Sequence, residues 1–121
     1  MGPVCTRLDA EEELHIIDAC IRLEDADEVV RVGALWDLTD MQDKSNAQAI
    51  SGVCDRLEHK NSHVREAAVQ ALTEVTEKGD ERAVAGVCAR LEDKDGYVRR
   101  KALRALPQVA EKGDEGAIAG V

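Results

Sequence analysis

Aromatic side chains are nearly absent from this chain of 121 residues, which has no phenylalanine, one tryptophan and one tyrosine. Its hydrophobic core must therefore be built from alanine, valine, leucine, isoleucine and cysteine. Structural elements that carry such small side chains can pack close together. The length fits one ordinary domain, so we expect residues 1–121 to fold as a single unit.

Long apolar runs and a surplus of basic residues are also missing. The apolar runs extend over only a few residues, so the sequence predicts neither a membrane span nor a signal peptide. The net charge is −9, and residues 1–60 carry 14 acidic against 6 basic groups. Proteins that bind nucleic acid or anionic membranes depend on surplus lysine and arginine. We therefore expect neither nucleic acid nor a membrane as a partner.

Patterns typical of enzymes and metal sites are absent as well. The sequence has no C-x-x-C pair, no cysteine and histidine cluster with zinc spacing, no glycine-rich phosphate loop and no G-x-S-x-G motif. We expect no catalytic residue, no metal and no cofactor.

A repeat with a period of 34 residues runs through the chain instead. The six residues Val-Cys-Asp-Arg-Leu-Glu at 53–58 return as Val-Cys-Ala-Arg-Leu-Glu at 87–92, and Ala-Cys-Ile-Arg-Leu-Glu precedes them at 19–24. A fixed period of this length is typical of stacked repeat architectures. The sequence predicts three full copies and the start of a fourth, at residues 12–44, 46–78, 80–112 and 114–121.

Each copy reads as a helix pair, which we name helix A and helix B. In the third copy, Asp80 and Asp95 are the expected N-caps of the two helices. The apolar residues that follow each cap recur at helical spacing. A single pair cannot bury its own apolar face, so the copies must stack. The sequence thus predicts an all-α fold of about three helix pairs.

The cysteines follow the same period, at Cys20, Cys54 and Cys88. Neighbouring helices in a stack lie roughly 8–10 Å apart, whereas a disulfide needs Cα atoms within about 7 Å. We interpret these cysteines as buried free thiols. Free thiols indicate a reducing compartment, and we expect the cytoplasm.

The start of each helix B resembles the D-x-x-V-R motif of HEAT repeats. Residues 27–31, 61–65 and 95–99 read D-E-V-V-R, N-S-H-V-R and D-G-Y-V-R. The resemblance implies a HEAT-like α solenoid, a right-handed α-α superhelix. Tetratricopeptide repeats share the period, but their Trp, Gly, Tyr and Pro signature is not reproduced here.

In HEAT proteins, the aspartate and arginine of this motif form a hydrogen-bonded ladder between adjacent repeats. The resemblance therefore implies such ladder roles in this chain, with the asparagine of the second copy weakening one rung. The implied ladder residues are Asp27, Arg31, Asn61, Arg65, Asp95 and Arg99.

The outward face of the B helices differs from copy to copy, and in HEAT-like solenoids this face lines a concave binding groove. Here it would run from an apolar end to a basic end. The candidate partner-binding residues are Val29, Val32, Trp36, His63, Gln70, Tyr97, Arg100, Lys101 and Arg104. An exposed tryptophan is often an interface anchor. The alternative is that Trp36 packs under residues 1–14 as part of a cap.

The resemblance implies a protein interaction scaffold or adaptor whose partner is a protein or peptide segment, apolar at one end and acidic at the other. The alternative is a HEAT-like enzyme or accessory subunit, similar to bilin lyases or alkylpurine DNA glycosylases through the repeat alone. The chain ends within an expected helix A. We expect either that it is a piece of a longer solenoid or that the open end favours end-to-end association of copies.

Overall fold

The computed structural model describes residues 2–40 and 46–110, and for residues 2–10 and 12 it describes the backbone alone. These parts of the chain form α-helices and no strands, which confirms the predicted all-α fold. The expected start of a fourth pair, at 114–121, lies outside the described residues. The six helices are α1 (Gly2–Arg22), α2 (Glu28–Thr39), α3 (Ala47–Arg56), α4 (Ser62–Val75), α5 (Glu81–Arg90) and α6 (Gly96–Val109).

The helices form two layers. The A helices α1, α3 and α5 pack in sequence along one side, and the B helices α2, α4 and α6 pack side by side along the other. Each A helix also packs on the B helix of its own copy. The core between the layers is aliphatic, as the composition predicts. Its largest fully buried side chains include Leu23, Leu38, Ile50, Val53, Leu72, Val75 and Val87.

Short polar side chains set where the B helices begin. The side-chain oxygens of Asp27, Asn61 and Asp95 each accept the backbone N–H two residues ahead, at 2.8 Å. A cap of this kind stabilises a helix by about 1 kcal/mol. Asparagine and aspartate are equally good caps, so the second copy loses nothing here. The three caps hold the B helices to the same starting register.

Two glycines at equivalent positions allow the A helices to approach the preceding copy closely. A Cβ atom at Gly86 would lie 2.8 Å from Leu57 Cδ1 and 3.2 Å from Leu72 Cδ1. A Cβ atom at Gly52 would lie 2.7 Å from Cys20 Sγ. These distances are shorter than van der Waals contact, so a larger residue would force the neighbouring side chains to shift.

A buried ion pair joins the second copy to the third. The Arg65 Nε donates to Asp93 Oδ2 at 2.8 Å and its Nη2 donates to Oδ1 at 3.0 Å. The two side chains are only 5% and 2% exposed. Asp93 also accepts from Arg90 Nη1 at 3.2 Å and from the Asp95 backbone N–H at 2.9 Å. The buried carboxylate is therefore fully supplied with donors.

The aspartate of this rung is not the one implied by the motif. Asp27 and Asp95 cap their own helices, and the carboxylate that reaches the neighbouring copy is Asp93, two residues before the cap. The second copy has His59 at the position of Asp93. At the first junction, between the first and second copies, Arg31 has no such carboxylate because position 59 is a histidine. The asparagine at position 61 is not the cause.

The first junction uses other groups. Glu24 of the first copy pairs with Arg56 at 2.9 Å and with His59 Nε2 at 3.1 Å. The Glu24 side chain is 38% exposed, so solvent screens these contacts far more than it screens the buried pair. The two junctions of the stack thus differ in chemistry.

Substituting the close-approach glycine should destabilise the fold. We expect Gly86→Ala to lower the free energy of unfolding by about 1–2 kcal/mol, because the new methyl overlaps two buried leucines. Gly33→Ala is the matched control, since its Cβ would meet nothing nearer than Arg22 Nη1 at 3.8 Å. There, removing a helix glycine should stabilise by about 0.5–1 kcal/mol. Urea unfolding followed by circular dichroism measures the free energy of unfolding of both variants. A change of the same sign in the two variants would contradict the close packing at Gly86.

The Asp93 carboxyl should make stability depend on acid. Burial raises its pKa, but the hydrogen bonds from Arg65 and from the Asp95 N–H, with the charges of Arg65 and Arg90, outweigh burial and hold the pKa below its ordinary value. A group whose pKa is lowered by folding stabilises the fold above its unfolded pKa of about 3.9. That contribution is lost as the pH falls through the folded pKa.

We therefore expect Asp93→Asn to lower the free energy of unfolding at neutral pH by about 3 kcal/mol, because Arg65 is left buried without its counter-charge. Below about pH 4 the deficit should shrink, since the parent chain also loses the ion pair there. Urea unfolding across this pH range measures the effect. Asp95→Asn, which keeps its cap, is the control. A deficit that is constant with pH would show that the ion pair contributes no stability.

Candidate functional site

A shallow groove of about 290 Å³ crosses the B-helix layer. Side chains of all three B helices line it, and we call it the B-helix groove. The lining residues are Glu28, Arg31, Val32 and Leu35 from α2, His63, Glu66, Ala67 and Gln70 from α4, and Lys101 from α6. Of the candidate partner-binding residues, the groove therefore brings together Val32, His63, Gln70 and Lys101.

The other candidates extend the groove along the same helices without lining it. Val29 and Trp36 stand three and four residues from Val32, a spacing that keeps them on one helix face. Tyr97 and Arg104 have the same relation to Lys101, and Arg100 is its neighbour in sequence. All five of these side chains are exposed. The face formed by the candidate residues is thus wider than the groove itself.

The apolar end of this face consists of Val29, Val32 and Trp36. Val29 is 77% exposed and Trp36 is 70% exposed. The indole is therefore not covered by the first helix, as the alternative of a cap over Trp36 would require. Large aromatic side chains carry much of the energy at protein interfaces. Trp36 has the exposure and the apolar neighbours of an unoccupied anchor.

The basic end consists of Tyr97, Arg100, Lys101 and Arg104. The Arg100 guanidinium lies over the Tyr97 ring, 5.7 Å from its centroid, and this cation–π contact holds the two side chains together. Within the described ranges, none of the three cations forms an ion pair. Their charge is therefore available to an acidic partner.

Arg31 lines the groove, although the D-x-x-V-R motif implied a role for it in the ladder between repeats. Its Nη1 donates to the backbone carbonyls of Asp25 at 2.7 Å and Ala26 at 3.0 Å. Among the residues with described side chains, neither Nε nor Nη2 of Arg31 has a hydrogen-bond partner, and neither atom is buried. The sequence contained a signal for this unpaired edge of Arg31, because the second copy has His59 where the third copy has the carboxylate of Asp93.

The thiols of Cys20 and Cys54 are poorly reactive. Burial raises the pKa of the Cys20 and Cys54 thiols, so both are protonated at neutral pH. A protonated thiol is a poor nucleophile and a poor metal ligand. In the searched part of the chain, no group of three or more His, Cys, Asp or Glu is placed to hold a metal ion.

No helix in the described ranges is both long enough and apolar enough to cross a bilayer.

The B-helix face has apolar side chains at one end, cations at the other, and polar groups between them. These are groups that can contact a partner.

Comparison with known proteins gives one family match. A protein-family model described as HEAT repeats matches residues 17–118, from the second half of α1 past the end of α6. A search of curated proteins finds no match to this chain.

Proposed function

Since the chain belongs to the HEAT-repeat family, whose members generally mediate protein interactions, we propose that it is a scaffold or adaptor module. Its B-helix face would hold one segment of a partner protein. The observation that carries the proposal is the exposed Trp36 at one end of the B-helix face, whose other end bears three cations that form no ion pair with any described residue.

The arrangement of the face defines the partner segment. Adjacent helices in a layer lie about 8–10 Å apart, so α2 and α6 are separated by roughly 20 Å. An extended chain covers about 3.3 Å per residue, which corresponds to about six residues. The segment would place an apolar side chain against Trp36. About six residues away, it would place acidic side chains against Arg100, Lys101 and Arg104.

The charge of the whole chain supports a protein partner over a nucleic acid. The net charge is −9, and Glu28 and Glu66 line the groove itself. A phosphate backbone would have to pass these carboxylates to reach the basic end. The alternative of a lyase-like or glycosylase-like enzyme rests on the repeat alone.

A peptide selection tests the proposal. Random peptides of about a dozen residues, long enough to span the face, are selected for binding to the chain. The expected result is enrichment of an apolar cluster and an acidic cluster about six residues apart. Affinity for an enriched peptide is then measured by fluorescence anisotropy. We expect Trp36→Ala to weaken binding at least tenfold, as for interface anchors, with little change in the free energy of unfolding.

Leu103→Ala is the matched control, because Leu103 is 54% exposed on α6 but does not line the groove. It should leave the affinity unchanged. Equal effects of the two substitutions would overturn the proposal, and so would selected peptides without the apolar and acidic pattern.

A further inference from the structure

The arginines of the three D-x-x-V-R motifs are held alike, although they end in different surroundings. Each uses Nη1 to bind carbonyl oxygens of the turn before its own helix. Arg31 donates to the carbonyls of Asp25 and Ala26, Arg65 to those of His59 and Lys60, and Arg99 to that of Asp93. This shared anchor fixes one edge of the guanidinium, so the other edge, Nε with Nη2, is presented in a defined direction.

Arg65 shows what that second edge binds. Its Nε and Nη2 hold both oxygens of Asp93, at 2.8 and 3.0 Å. A guanidinium edge and a carboxylate match in geometry, because two parallel N–H donors meet two acceptor oxygens. The pair is a template, within this chain, for a carboxylate seated on an anchored arginine.

Arg31 has the anchor without the carboxylate. The position that Asp93 occupies for Arg65 is taken by His59, whose ring is already engaged. Its Nδ1 accepts the Asn61 backbone N–H at 3.0 Å, and its Nε2 contacts Glu24 at 3.1 Å. The Nε and Nη2 of Arg31 are unburied and have no partner in the described ranges, and the residue lines the B-helix groove.

We infer that Arg31 is a binding site for one carboxylate side chain, aspartate or glutamate, of the partner segment. This inference deepens the proposed function and rests on it. The partner's carboxylate meets the Nε and Nη2 edge of Arg31 with the geometry that Asp93 has against Arg65. It accepts one hydrogen bond from Nε and one from Nη2.

The neighbours of Arg31 define the selectivity of the site. Val32 and Leu35 line the groove on the same helix and give it apolar surface. Glu28 and Glu66 line it too, so additional negative charge close to Arg31 is repelled. The site therefore favours a single carboxylate over a doubly charged phosphate or a run of acidic residues. The anchored Nη1 also reduces the side-chain freedom that binding must remove.

The substitution His59→Asp tests the inference directly. It restores a carboxylate at the position of Asp93, which should occupy Arg31 within the chain and exclude the partner's carboxylate. Affinity for the enriched acidic peptide should fall about tenfold, the effect of losing one charged hydrogen-bonded pair. Arg31→Lys keeps the charge but loses the paired donors, and should cause a similar loss. Should His59→Asp fail to fold, Arg31→Lys keeps the test intact, since Arg31 is only half-buried.

Arg99→Lys is the matched control, because Arg99 has the same anchor but does not line the groove. A peptide in which the acidic residue nearest the apolar cluster is changed to its amide completes a double-mutant cycle. Loss of that carboxylate should weaken binding to the parent chain and have no further effect on the Arg31→Lys variant.

Independent losses from the peptide change and Arg31→Lys would overturn the carboxylate site, as would an Arg31→Lys variant that binds like the parent. If Trp36→Ala still weakens binding in that case, the groove proposal stands alone. If neither variant affects binding, both proposals fail.

Discussion

The buried ion pair of Arg65 and Asp93 is the contact on which the arrangement of the stack depends. Burying two charges is costly unless every donor and acceptor is satisfied. Here Arg65 donates hydrogen bonds to Asp93 and to two backbone carbonyls of the turn. The Asp93 carboxylate also accepts hydrogen bonds from Arg90 and from a backbone N–H. One alignment of the second and third copies meets all these demands. That alignment places α4 beside α6 and so forms one side of the groove.

The first junction, between the first and second copies, has ion pairs that are more exposed to solvent than the pair of Arg65 and Asp93. Its ion pairs centre on Glu24, and the side chains of Arg56 and His59 are 18% and 25% exposed. What holds α2 against α4 is mainly the aliphatic core, through residues such as Leu38 and Leu72. The substitution of a carboxylate by His59 thus has two effects. It removes a buried ion pair between copies, and it leaves Nε and Nη2 of Arg31 without a partner among the described residues.

Much of the fold could be predicted from the sequence, because period and pattern are local properties. The 34-residue repeat, the helix pairs and the caps at Asp80 and Asp95 follow from spacing and short-range chemistry. The identity of the ladder carboxylate did not follow. Asp93 and Asp95 both precede the same helix, and only the fold shows which one meets an arginine 28 residues earlier. The groove role of Arg31 was missed for the same reason, since it depends on a residue of another copy.

The unequal junctions have a mechanical consequence. A stack of repeats under load behaves as elastic elements in series, and most of the deformation occurs in the softer element. The junction at Glu24 is exposed enough for dissolved ions to weaken it, whereas the junction at Asp93 is shielded. A partner that spans α2 to α6 therefore meets a stiff half, α4 with α6, and a compliant half, α2. We expect bending of the stack to occur first at the junction of Glu24, while the junction of Asp93 keeps its shape.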